Sequence, residues 1–76
     1  MKRLLQVLAR GLVRQPSRVR VSEWVEDGIL RMELYVAEDD VGRIIGKGGR
    51  TVEALRTLLE AVARRRGTRL RLEVMG

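Results

Sequence analysis

Along the first fifteen residues the apolar positions Leu4, Leu5, Leu8, Leu12 and Val13 recur at helical intervals, with Lys2, Arg3, Gln6, Arg10 and Arg14 between them. The spacing predicts an amphipathic helix from Lys2 to Gln15, stopped where Pro16 restricts Gln15 and offers no donor. Gly11 inside it costs up to about 1 kcal/mol relative to alanine, which close packing against another element would explain. The period then falls to two. Val19 to Glu26 and Ile29 to Val36 flank Asp27-Gly28, a pair suited to the positive φ angles of a two-residue hairpin turn. That turn sets Val25 opposite Leu30, Val21 opposite Leu34 and Val19 opposite Val36, and these residues with Met32 form the expected core face. One pair breaks the pattern: Glu23 falls opposite Met32, so the strand there frays, bulges or lies near an edge. On the other face Arg20 stands beside Tyr35 and Trp24 beside Arg31, where a guanidinium can lie across a ring.

After the hairpin, the acidic cluster Glu38-Asp39-Asp40 suits the positive amino end of a short helix through Ile45. Gly46, Gly48 and Gly49 break that helix. Thr51 to Arg66 resumes helical spacing with Val52, Leu55, Leu58, Leu59 and Val62 on one side, and Gly67 supplies the stop. Arg64-Arg65-Arg66 fits the negative helix end and reads as a solvated terminus, with an extension of a polyanion path as the alternative. Thr68 to Met75 alternates again, with Leu70, Leu72 and Val74 inward and Arg69, Arg71 and Glu73 outward. The order α-β-β-α-α-β predicts an α+β fold, three helices packed on one face of a three-stranded sheet. With 76 residues, the chain is expected to be one domain spanning 1–76 around a single small core.

Composition narrows the chemistry. Sixteen Lys and Arg against ten Asp and Glu give a formal charge of +6, which favours polyanionic partners. Cysteine and histidine are both absent. That removes disulfides, thiolate and imidazole metal sites, and Ser-His or Cys-His nucleophiles. No cofactor and no enzyme activity are expected. The amino terminus imitates a signal-peptide charge pattern, but Gln6, Arg10 and Arg14 interrupt any apolar run, so a cytoplasmic chain without a membrane span is expected.

The segment richest in chemistry is Gly46-Lys47-Gly48-Gly49. Three glycines in four residues let the backbone adopt positive φ and approach another molecule closely. The loop feeds into the start of a helix, where unpaired N–H groups and the positive dipole end favour an anion such as a phosphate. Lys47 stands at the tip, and Arg50 adds a second charge. A tight helix-turn-helix also uses glycine for purely conformational reasons, and the four-residue pattern alone does not separate the two readings. The spacing fits neither a G-x-x-x-x-G-K-[ST] triphosphate loop nor a G-x-G-x-x-G dinucleotide turn.

Context adds to the pattern. Val41 to Val52, two apolar residues followed by Gly-x-x-Gly, a basic residue and a helix, resembles the KH signature. The element order resembles the type II KH arrangement, with its three-stranded mixed sheet. In length as well as motif, the chain is similar to the small bacterial single-KH proteins of the KhpA family. The resemblance implies that Gly46, Lys47, Gly48, Gly49 and Arg50 contact the backbone of single-stranded RNA. It also implies that Val41, Gly42 and Ile45 line an apolar groove for the bases, with Ile44 in the core. KH loops clamp about four nucleotides. Where the family usually holds a polar side chain beside the lysine, this chain has Gly48, which makes the loop looser. With no aromatic residue in the groove, binding is expected to be micromolar, on the order of −8 kcal/mol, and tolerant of base identity.

For function, the resemblance implies an RNA chaperone or post-transcriptional regulator linked to cell shape. Its partners would be single-stranded RNA, a KhpB-type KH protein as heterodimer, and a second copy as homodimer. An alternative keeps the groove for protein: a subunit that seals a homo- or heterodimer there and touches RNA only incidentally. A further variant places RNA on the sheet face, around Trp24 and Tyr35.

Overall fold

A computed structural model describes residues 1–76. Helix α1 spans Lys2–Leu12, strands β1 and β2 span Arg20–Glu26 and Ile29–Tyr35, α2 spans Val41–Ile45, α3 spans Arg50–Arg65 and β3 spans Arg69–Met75. Single 3₁₀ turns precede β1 at Pro16–Arg18 and α2 at Glu38–Asp40. β2 is the central strand, antiparallel to β1 and parallel to β3. A parallel pair cannot be closed by a tight turn, and α2 and α3 supply the crossover. The result is the mixed three-stranded sheet with three helices that the element order predicts.

The hairpin follows its turn chemistry. Asp27 and Gly28 hold φ of 53° and 75°, and the register runs unbroken from Arg20 opposite Tyr35 to Glu26 opposite Ile29. Val21 faces Leu34 and Val25 faces Leu30 as expected, but Val25 is 70% exposed rather than core. Glu23 opposite Met32 is resolved the same way. β1 is an edge strand with no bulge, and only its first half reaches the core, so Glu23 and Val25 project beyond it. The core joins Val19, Val21, Met32, Leu34 and Val36 to Leu5 and Ala9 of α1, Ile44 of α2, Leu55, Leu59 and Ala63 of α3, and Leu70 and Leu72 of β3.

Three expectations need correction. Helix α1 ends at Leu12, three residues before Gln15, and Val13 is extended. Gly11 has no close neighbour for a Cβ to meet, so tight packing does not explain it; it sits exposed in the last turn, where it weakens continuation of the helix. On α3, Ala63 takes a core position while Leu58 is 44% exposed. Helix α3 closes in a Schellman motif around Gly67 (φ 76°), with Thr68 N–H donating to Ala63 O and Gly67 N–H to Arg64 O, both at 3.0 Å. No helix is long and apolar enough to cross a membrane.

Candidate nucleic-acid interface

Helix α2 is five residues long and ends in the glycine loop. Its Ile44 is fully buried and anchors it to the core, while Val41 and Ile45 are half-buried and Gly42 is exposed. Val41 and Ile45, four residues apart, share one helix face. A Cβ on Gly42 would meet nothing within 4 Å, so the surface there is open. The structure therefore places Val41, Gly42 and Ile45, the residues expected to line a groove, on the helix that delivers the loop.

The loop is built by backbone conformation. Gly46, Gly48 and Gly49 hold φ of 76°, 65° and 77°. Gly46 N–H donates to Gly42 O at 2.8 Å, closing α2, and Gly49 N–H donates to Gly46 O at 3.0 Å, turning the chain into α3. Only Gly46 is also constrained by space: a Cβ there would lie 2.7 Å from Thr51 Cβ and 2.9 Å from Thr51 N. Gly48 has nothing within 4 Å. Gly46→Ala is thus expected to destabilise the fold by about 1–2 kcal/mol for the left-handed backbone plus roughly 1 kcal/mol for the clash, and Gly48→Ala by the first amount alone. Urea midpoints of the two variants check the difference.

Lys47 and Arg50 are exposed on this loop. The ion pairs of the chain are Arg31–Glu26, Arg43–Asp40 and Arg56–Glu53, so neither Lys47 nor Arg50 is neutralised by a carboxylate. Arg43, next to the loop in sequence, is spent: its Nη1 lies 3.3 Å from Asp40 Oδ1 and 3.3 Å from Asp39 O.

Two supporting residues escaped the sequence reading. Asp40 is fully buried, and its carboxylate accepts hydrogen bonds from Arg14 N–H and Gln15 N–H, both at 3.0 Å. It does not cap its own helix, as the acidic cluster suggests; it satisfies the chain leaving α1 and ties that chain to α2. The Arg14 amide above all, with that of Gln15 and the Arg43 charge, holds the Asp40 carboxyl below its ordinary 3.8 against the opposing effect of burial. Arg56 is the second. From the middle of α3 it donates from Nε and Nη2 to Leu72 O, at 3.4 and 3.3 Å, on the edge strand β3, while Nη1 pairs with Glu53 at 2.8 Å. It fixes the spacing of α3 and β3. A Glu-x-x-Arg pair is visible in the sequence, but its reach to a strand carbonyl is not.

A pair of helices joined by Gly-x-x-Gly and backed by a parallel β2–β3 pair within a mixed sheet is the type II KH arrangement. A family model described as KhpA/KhpB, KH domain, matches residues 2–74, and the chain belongs to that family. Among its relatives, a protein of Chlamydia pneumoniae named RNA-binding protein KhpA is 45% identical over 75 residues, covering 99% of this chain and 96% of the relative. Proteins of the same name from Halalkalibacterium halodurans and Thermotoga maritima are 44% identical over 75 residues and 47% over 62, covering 99% of both chains and 82% and 83% respectively. The family is not one of enzymes.

Proposed function

We propose that this chain binds single-stranded RNA, with the loop Gly46, Lys47, Gly48, Gly49 and Arg50 on the phosphates and Val41, Gly42 and Ile45 against the bases. The observation that carries the reading is the pair of exposed cations, Lys47 and Arg50, left without carboxylate partners on a loop where nothing crowds Gly48 or Gly49. Relatives named for RNA binding across nearly their whole length support it. Loop contacts to two or three phosphates release counterions, so log affinity against log salt should fall with a slope of about −1.4 to −2.1 for single strands. Anisotropy of a labelled oligonucleotide over a salt series measures it, and a slope near zero would exclude a backbone clamp.

Acting on single strands through a loop that grips the backbone, the protein works as an RNA chaperone or post-transcriptional regulator in the cytoplasm, with a downstream effect on cell shape. A protein partner has its own support. Leu58 is 44% exposed between exposed Ala54 and Ala61 on the outer side of α3, an apolar strip suited to a KhpB-type KH protein or a second copy. Light scattering with and without RNA separates the two roles. RNA that dissociates the assembly favours the alternative in which the groove is a protein seat; RNA that adds to it favours separate surfaces.

A further inference from the structure

The helices cover one face of the sheet and leave the other open. On that open face the register aligns Trp24, Arg31 and Arg71 in a row across the three strands. Trp24 is 41% exposed, and a depression of about 550 Å³ is lined by these three residues with Glu26, Glu33 and Glu73 and, from α3, Arg56 and Glu60. A second depression, sharing Arg71 with the first, continues to Arg69 and to Arg64 at the end of α3.

The polar groups of this face divide into engaged and free ones. Arg31 Nε is buried 3.5 Å from Glu26 Oε1, an ion pair that makes no hydrogen bond. Arg71 and Glu73 sit two residues apart on the same face of β3 and have no ion-pair partner, although each is exposed. By contrast Glu33 is engaged by the Tyr35 hydroxyl at 2.7 Å, and Arg20 Nη1 donates to Ser17 O and Val19 O, both at 2.9 Å. Trp24 is likewise held, its Nε1–H donating to Glu26 Oε1 at 3.4 Å. The groups left free stand on β3, across Arg31 from the indole: the guanidinium of Arg71 and the carboxylate of Glu73.

Four arginines and three glutamates point out from the three strands, which is too balanced for a track that reads only phosphate. An aromatic platform with a free donor and a free acceptor is instead complementary to a base whose edges carry both. Guanine fits: O6 and N7 accept from arginine, and N1–H and N2–H₂ donate to a carboxylate. We infer that the open sheet face is a second RNA seat, in which a guanine base stacks on Trp24 with its edges turned across β2 towards Arg71 and Glu73 and its flanking phosphate meets Arg64 and Arg69. This rests on the RNA-binding reading above. Helix α3, roughly 24 Å long, separates this phosphate position from the glycine loop, so the two seats are independent contacts along a longer strand.

Trp24 is the only tryptophan, so its emission reports this face directly. The full chain is titrated with a fluorescein-labelled guanosine-rich single strand and, separately, a cytidine-only strand of equal length, reading anisotropy and Trp24 emission together. The expected result is quenching that follows anisotropy for the guanosine strand and is several-fold smaller for the cytidine strand. Trp24→Ala lowers affinity for the guanosine strand roughly tenfold with the salt slope unchanged, because stacking releases no counterions. Trp24→Phe keeps a ring on the strand and retains most of the affinity. Glu73→Gln and Arg71→Ala each bring the guanosine strand towards the cytidine value. Anisotropy that rises while Trp24 emission stays flat overturns this seat and leaves the loop reading standing. No anisotropy change with either strand sinks both. Trp24 emission that depends on protein concentration without RNA assigns the face to a second copy and overturns the seat as well.

Discussion

Lys47→Asp combined with Gly48→Asp is expected to cut affinity for single-stranded RNA by at least roughly 100-fold while the fold survives. The change removes one cation and adds two anions where a phosphate is proposed to sit, and like charges held together across an interface cost several kcal/mol. About 2.7 kcal/mol already corresponds to a factor of 100. Folding is insulated from the change. Both positions are exposed, and nothing lies within 4 Å of the place where a Cβ on Gly48 would stand. Gly48 has φ of 65°, a conformation that aspartate tolerates better than most residues, so the backbone cost stays near 1 kcal/mol. Crosslinking to RNA checks the loss, and the far-ultraviolet circular dichroism and melting temperature check the fold. Retained crosslinking in a folded double variant would remove the loop from the interface.

That contrast between a loop that can be changed and a core that cannot was only partly legible from sequence. Local chemistry was read well. Asp27-Gly28 demands one kind of turn, the turn demands one register, and the register assigned Val21 and Leu34 to the core without tertiary information. Burial at strand ends was not. Val25 obeys the alternation and is still exposed, because alternation says which face a residue points to and not how far the helices extend over that face. On α3, helical spacing admits Leu58 and Ala63 equally, and only packing against the sheet selects the smaller residue for the core. The acidic cluster failed for a different reason. A carboxylate at a helix start suits the positive helix end locally, whereas the partners of Asp40 lie 25 and 26 residues away. In the site, the glycine conformations were foreseeable from composition. The freedom of Lys47 and Arg50 was not, because it depends on which carboxylates other arginines have already taken.

Asp40→Ala is expected to lower the melting temperature by an amount on the order of 20 °C. The carboxylate is fully buried and is the acceptor for two backbone N–H groups, so its removal leaves Arg14 N–H and Gln15 N–H unsatisfied and Arg43 without its partner. Asp40→Asn keeps the shape and one oxygen, and should fall between wild type and alanine. The pH dependence follows from the direction of the shift. Folding holds the Asp40 carboxyl below 3.8, so the folded state binds its proton less readily than the unfolded state. The stabilisation is therefore fully present well above the unfolded value of 3.8, declines as pH falls through that value, and is lost once pH drops through the folded value. Melting temperatures of wild type should drop across that acid range more steeply than those of Asp40→Asn, whose side chain does not titrate. Parallel curves would show that the carboxylate charge contributes nothing to tying α1 to the helix that carries the loop. Because α2 is only five residues long and is held by Ile44 within and Asp40 at its start, loosening that start should also weaken RNA binding at pH 7. An unchanged affinity in a folded Asp40→Asn variant would mean that the loop keeps its shape through Gly46 and Thr51 alone.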